Sequence, residues 1–190
     1  MRKIFVLLLM LAGLPLLHGC AAVAIGGAAA GGVMVAQDRR TVGTMTEDEG
    51  IEQKAAGRIG ERFKDSVHIN VISYNRTVLL TGEVPDAAAR TEVERIARGV
   101  DNVRGIYNET QVSGVSSFTA RSNDAIITSK VKSRFLDSGK FNALHVKVVT
   151  ESGVVYLMGM VKKQEAAEAT ELARTTSGVL KVVRVFEYLD

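Results

Sequence analysis

The chain is poor in several residue types that catalysis and cross-linking depend on. Its 190 residues include one cysteine, no tryptophan and two prolines, and aromatic residues make up 5% of the total. A single cysteine excludes an internal disulfide. The cysteine and the histidines do not have the spacing of a zinc site. Serines and aspartates are present, but nothing groups them with a base as a nucleophile would require. We therefore expect a protein that is not an enzyme, with no catalytic residues, no metal site and no cofactor.

An excess of charge of one sign is also missing. The chain has 24 basic and 21 acidic residues and a sequence pI of about 9.1. Two of the basic residues, Arg2 and Lys3, belong to an N-terminal leader, and the remainder carries 22 basic against 21 acidic residues. Such a balance lacks the strong positive field of a nucleic-acid-binding protein, so no nucleic acid partner is expected.

The apolar run at the N-terminus is too short to span a bilayer. Ile4 to Leu17 follows a basic cap and has the length of a signal-peptide core. It ends in Leu17-His18-Gly19-Cys20, which is similar to a bacterial lipobox except at His18. We predict that residues 1–19 are a lipoprotein signal peptide. Cys20 is then expected to carry the lipid anchor, including palmitate, and several acyl chains would make that anchor lasting.

A spacer separates Cys20 from the rest of the chain. Residues 21–36 are rich in alanine and hold four glycines, and a polar stretch follows up to residue 49. This composition is typical of a flexible connection rather than of a membrane span. We predict that residues 20–49 are the lipidated cysteine and a flexible linker.

The rest of the chain is an internal duplication. Ile69 to Val84 aligns with Val146 to Val161 at a constant offset, as expected for two copies of one fold. The repeat predicts a first domain at residues 50–112, a short linker at 113–121 and a second domain at 122–190.

Each copy has the same order of predicted elements. A helical pattern precedes two runs of period two, then an alanine-rich helix and a last strand. The fold class is therefore α+β, with tandem αββαβ domains, each a three-stranded sheet with two helices on one face. Ser122-Asn123-Asp124 is interpreted as the N-cap of the second copy's first helix. Because each copy is small, we expect the copies to lean on one another or on a membrane.

The repeated strand pattern resembles the BON domain, a bacterial module of αββαβ order. The matching residues are Val78-Leu-Leu80-Thr-Gly82-Glu-Val84 and Val155-Tyr-Leu157-Met-Gly159-Met-Val161. With the leader and Arg40-Thr41-Val42-Gly43, the chain is similar to dual-BON outer-membrane lipoproteins of Gram-negative bacteria. The resemblance implies phospholipid binding, support of outer-membrane integrity and enrichment at the cell-division site. It also implies a lipid-anchored protein on the periplasmic face of the outer membrane, since Ala21 replaces the aspartate linked to inner-membrane retention.

The first helix of the second copy has apolar residues that one buried stripe does not explain. Ile127, Val131 and Phe135 share one side of a helix from Asp124 to Lys140, whereas Ile126 and Leu136 point outward. The first copy has Lys54 and Lys64 at the positions taken as equivalent, and the second copy has five extra residues after the helix. An outward apolar patch with flanking lysines suits a helix in a lipid headgroup layer. The predicted site for anionic phospholipid comprises Ile126, Lys130, Lys132, Ser133, Leu136 and Lys140.

Two other interpretations of this patch stay open. Ile126 and Leu136 would also be explained by burial against the first copy, because exposed apolar patches mark interfaces of either kind. The protein would alternatively act as an adaptor whose partners are outer-membrane assembly proteins.

Two histidines lie outside the leader, His68 and His145, at matching strand positions. Each alternates with apolar neighbours, so we expect both to be exposed strand residues that face away from the core.

Overall fold

The structure, a computed structural model, describes residues 38–114 and 116–190. The predicted signal peptide, Cys20 and the linker up to residue 37 lie outside these residues. Within the described part of the chain, no helix combines the length and the apolar character needed to cross a membrane.

The two predicted αββαβ copies are present. The first consists of α1 (Val42–Phe63), β1 (His68–Tyr74), β2 (Thr77–Val84), α2 (Ala87–Arg98), β3 (Gly105–Asn108) and β4 (Gln111–Val112). The second consists of α3 (Phe118–Ser138), β5 (Lys147–Glu151), β6 (Val154–Val161), α4 (Lys163–Arg174) and β7 (Lys181–Tyr188).

Both sheets are mixed and have the same strand order. The central strand, β2 or β6, pairs antiparallel with the strand before it and parallel with the last strand of its copy. In the first copy the predicted last strand is divided into β3 and β4, which both pair with β2. The division follows from Asn108, whose side-chain oxygen accepts from both the N–H and the hydroxyl of Thr110 and turns the chain locally.

Both first helices begin earlier than predicted. The side chain of Thr41 accepts from the Thr44 N–H and begins α1 at Val42, so the predicted linker to residue 49 is eight residues too long. In the same way Ser117 accepts from the Ala120 N–H and begins α3 within the predicted linker 113–121. The prediction was wrong because the polar residues of these first turns were interpreted as coil, although hydroxyl caps before polar turns are common helix starts.

Asp124 lies inside α3 rather than at its N-cap. It is buried, and its carboxylate accepts from the backbone N–H groups of Ser152 and Gly153 in the β5–β6 turn. Both turn residues have positive φ, as in a two-residue hairpin turn of type I′. Such a turn leaves backbone N–H groups without partners in the sheet, and the buried carboxylate satisfies them.

The first copy repeats this arrangement with Asp48. Its carboxylate accepts from the N–H groups of Asn75 and Arg76 and from the hydroxyl of Ser73. Arg40 adds an ion pair at 2.9 Å. One acidic residue in each first helix therefore fixes the hairpin of its own copy.

The equivalent aspartates correct the alignment of the two first helices. Asp48 matches Asp124, and the buried residues Ile51 and Ile59 match Ile127 and Phe135. The equivalents of Ile126 and Leu136 are consequently Gly50 and Gly60, not Lys54 and Lys64. The second copy also has one extra residue before its hairpin, not five. The contrast between the copies remains, because large apolar side chains in α3 stand where α1 has glycine.

Each copy has a core between its helices and one face of its sheet. A third apolar cluster joins the other faces of the two sheets: Tyr74, Leu79, Tyr156, Met158 and Val185. Central strands that are buried on both faces explain the nearly continuous apolar sequences of β2 and β6. The expectation that the copies lean on one another is confirmed.

Candidate lipid-docking surface

The helix α3 has one buried side and one apolar solvent-facing side. Ile127, Val131 and Phe135 are buried against the sheet, which confirms the predicted stripe. Ile126 and Leu136 face solvent, with 54% and 68% of their surface exposed. The two residues therefore do not bury against the first copy, and that interpretation of the patch was wrong. The copies meet through their sheets instead.

Phe118 extends the exposed apolar side to the start of α3. It is 79% exposed and precedes Leu136 by five helical turns, so the two side chains project in the same direction. The sequence prediction missed Phe118 because it assigned the residue to the linker. Helical periodicity continued backwards from Leu136 would have found it.

The flanking polar residues divide into two groups. Lys130, Lys132 and Ser133 are exposed on the same helix as the apolar side chains. By contrast, Lys140 lies beyond the end of α3, and its Nζ atom forms an ion pair with Glu168 at 2.7 Å. Arg134 turns inward and donates to the Leu172 carbonyl oxygen at 2.8 Å.

We define the docking face as the solvent-facing group on α3, leaving out Lys140 because it is engaged by Glu168. Its members are Phe118, Ile126, Lys130, Lys132, Ser133 and Leu136.

A polar cleft adjoins the docking face. It has a volume of about 400 Å³ and is lined by Lys130, Ser133, Arg134, Thr175, Thr176 and Ser177. The hydroxyl groups come from α3 and from the segment after α4. The Thr175 and Thr176 hydroxyls donate to the carbonyl oxygens of Glu171 and Leu172. A phosphate group in this cleft would therefore contact Lys130 and the Ser177 hydroxyl.

Comparison with known proteins identifies the repeated unit. The BON domain model matches residues 47–114 and 123–190, which is most of the chain. The chain belongs to the BON-domain family. The two BON domains confirm the α+β fold class and the tandem arrangement that the repeat predicted.

Three relatives align with this chain over most of their length. Outer membrane lipoprotein DolP of Haemophilus influenzae is 40% identical over 176 residues, which cover 92% of this chain and 91% of the relative. A 21 kDa hemolysin of Actinobacillus pleuropneumoniae is 36% identical over 80% of each chain. Osmotically-inducible protein Y of Escherichia coli is 28% identical over 80% of this chain and 77% of the relative.

The chain is accordingly a dual-BON-domain lipoprotein similar to DolP. That similarity supports an outer-membrane location for the protein. None of the three relatives is named as an enzyme.

Proposed function

We propose that this protein is a non-catalytic, lipid-anchored phospholipid-binding protein on the periplasmic side of the outer membrane. Its second BON domain binds anionic phospholipid through the docking face of α3, and binding supports outer-membrane integrity at the cell-division site. The observation that carries the proposal is the exposure of Phe118, Ile126 and Leu136 along one side of a helix that also presents lysines.

The apolar residues favour insertion into the headgroup region. Full burial of a residue such as Ile126 or Leu136 stabilises by about 1.5 to 3 kcal/mol, and partial insertion gives part of that. Three apolar side chains on one helix are therefore enough for measurable, reversible binding to a membrane.

The lysines give the face a preference for anionic lipid. A lysine close to an anionic leaflet contributes about 1 kcal/mol, and this contribution falls as salt screens the charge. Lys130 and Lys132 lie on the docking face, and Lys130 also lines the adjacent polar cleft. A lipid phosphate in this cleft would receive hydrogen bonds while the acyl chains meet Ile126 and Leu136.

The anchor makes a weak interaction sufficient. A tether on Cys20 would hold the second domain at an effective concentration on the order of millimolar beside its own membrane. The anchor would supply general attachment, and α3 would supply selectivity for a lipid environment.

Vesicle flotation of residues 38–190 tests the proposal without the anchor. The fragment should float with vesicles that contain phosphatidylglycerol and should bind less as salt increases. Replacing both Ile126→Glu and Leu136→Glu should lower binding by more than about tenfold, because apolar burial is lost and two negative charges are added.

The control double variant carries Val42→Glu and Tyr107→Glu. Both residues are exposed apolar positions of the first copy, and the change in charge is the same. This variant should float like the wild type. Equal loss in both variants, or no loss in the α3 variant, would reject the docking face as the lipid contact. Absence of any vesicle binding would favour the adaptor hypothesis with outer-membrane assembly proteins as partners.

A further inference from the structure

Three polar side chains meet at the contact between the two copies. His68 of β1 and Glu83 of β2 are neighbours in one sheet, and Glu151 of β5 faces them from the other. One ligand atom from each, a ring nitrogen or a carboxylate oxygen, lies within 4.8 Å of the other two. His68 was expected to be an exposed strand residue, but the second copy covers it and leaves its side chain 22% exposed.

Burying two carboxylates beside each other is costly without a cation. Glu83 and Glu151 are each only 4% exposed, so water screens their repulsion poorly. The two carboxylates nevertheless lie close together at the contact between the two copies.

The hydrogen bonds leave each carboxylate with an available oxygen. Glu83 accepts from His68 Nδ1 at 3.0 Å and from the Ser116 N–H through Oε2. Glu151 accepts from Asn70 and Thr81, also through Oε2. Among the described residues, neither Oε1 atom accepts a hydrogen bond. The Ser116 hydroxyl, on the residue that contacts Glu83, is buried and has no partner in the described chain.

The group is reachable from solvent. His68 and Glu151 line a cleft of about 520 Å³ between the copies, together with Asn70 and residues of α3 and β5. The His68–Glu83 separation is close to the spacing of about 3.3 Å between two ligands of a tetrahedral zinc ion. A small rotation of Glu151 would bring the third ligand to the same distance.

We propose that His68, Glu83 and Glu151 bind a divalent transition-metal ion of the zinc type, which joins the two BON domains. The imidazole nitrogen favours such an ion over Ca²⁺ or Mg²⁺, which prefer oxygen ligands alone. Three protein ligands leave a fourth position for water. The ion neutralises the paired carboxylates.

The internal repeat provides a matched control. His145 occupies the position equivalent to His68, but Met160 stands where the first copy has Glu83. The Glu165 carboxylate, 3.7 Å from His145, is already paired with Arg39. A metal bound at a histidine alone would involve both copies equally, whereas the proposed site needs His68.

Calorimetric titration of the full chain in detergent with ZnCl₂ tests the site, with Cys20→Ser in every variant so that no thiol competes. We expect one zinc ion per chain and no comparable binding of Ca²⁺. His68→Gln should weaken the zinc affinity by at least about tenfold, because loss of even a residue that only hydrogen-bonds a metal ligand lowers metal affinity by that factor. His145→Gln should bind like the parent.

Thermal unfolding with and without zinc gives a second readout. Zinc should raise the unfolding temperature of the parent and of the His145→Gln variant. It should raise that of the His68→Gln variant much less. Circular dichroism of the metal-free proteins checks folding. Should His68→Gln not fold, Glu151→Gln replaces it, because glutamine can still accept from Asn70 and Thr81. Failure of the parent to bind zinc, or equal binding by the His68 or Glu151 variant, would overturn the proposal.

Discussion

At the scale of single residues, the two copies depend on a buried aspartate that links helix to hairpin. The Asp124 carboxylate accepts hydrogen bonds from two backbone N–H groups of the β5–β6 turn. The Asp48 carboxylate accepts from two N–H groups of the β1–β2 turn and from the Ser73 hydroxyl, and it forms an ion pair with Arg40. Helix and hairpin are far apart in sequence, so each aspartate fixes a contact that local propensity alone would not specify.

Removing the Asp124 carboxylate should destabilise the second domain. Asp124→Ala leaves two turn N–H groups without an acceptor and should lower the free energy of unfolding by about 2 to 3 kcal/mol. Asp124→Asn keeps an acceptor oxygen and should cost less. Urea unfolding measures both, and a change below about 0.5 kcal/mol in the alanine variant would show that the contact contributes little.

Gly82 and Gly159 illustrate what the sequence does indicate at this scale. A glycine at the same place in a strand pattern of both copies indicates a close approach of another backbone segment. A Cβ atom at Gly82 would lie 2.0 Å from the His68 carbonyl oxygen, and at Gly159 it would lie 2.2 Å from that of His145. Glycine was recognisable because its position repeats in both copies. The partners of Asp48 and Asp124 were not, because no local pattern shows which turn a helix will meet.

At the scale of elements, the two arginines before α1 connect both copies. Arg39 donates to both carboxylate oxygens of Glu165 on α4, at 2.6 and 2.8 Å, and to the Met160 carbonyl oxygen of β6. Arg40 pairs with Asp48 of the first copy and lies 4.0 Å from the centre of the Tyr74 ring. The segment before α1 therefore contacts the second domain before it begins the first.

The Arg39–Glu165 pair should make stability depend on pH. The hydrogen bond from Arg39 lowers the pKa of Glu165 from 4.5 to about 2. Because the folded pKa lies below the unfolded one, the contribution is complete above about pH 4.5 and is lost as pH falls towards 2.

Glu165→Gln should expose this dependence. The variant should be less stable than the wild type by about 2 kcal/mol at pH 7, and the difference should shrink below pH 4. Chemical unfolding at both pH values checks the prediction. If the stability difference between the variant and the wild type does not change with pH, the effect comes from packing rather than from charge.

Element types followed from sequence more readily than element boundaries did. Strand pairs and alanine-rich helices have strong periodicity, and both copies gave the same pattern. The starts of α1 and α3 depend on the caps Thr41 and Ser117, which precede polar turns without an apolar period. The sequence also did not predict how the two sheets pack together. Because β2 and β6 are apolar on both faces, their pattern does not show what covers the second face.

At the scale of the whole molecule, the two copies share one fold but differ in the outward side of their first helices. Their sheets pack together, which leaves the helices of each copy outside. In α1 the outward positions equivalent to Ile126 and Leu136 are Gly50 and Gly60, which offer little apolar surface. The larger outward apolar face therefore belongs to α3, and we propose that this face meets lipid.

The contact of α3 with lipid can be observed directly because the chain has no tryptophan. Leu136→Trp places one fluorescent reporter on the docking face, and Tyr107→Trp places one on an exposed position of the first copy. Vesicles of phosphatidylglycerol with brominated acyl chains then quench whichever reporter enters the bilayer. We predict a blue shift and strong quenching for Leu136→Trp and neither for Tyr107→Trp. Quenching of the Tyr107→Trp reporter alone, or of neither reporter, would contradict lipid binding by α3.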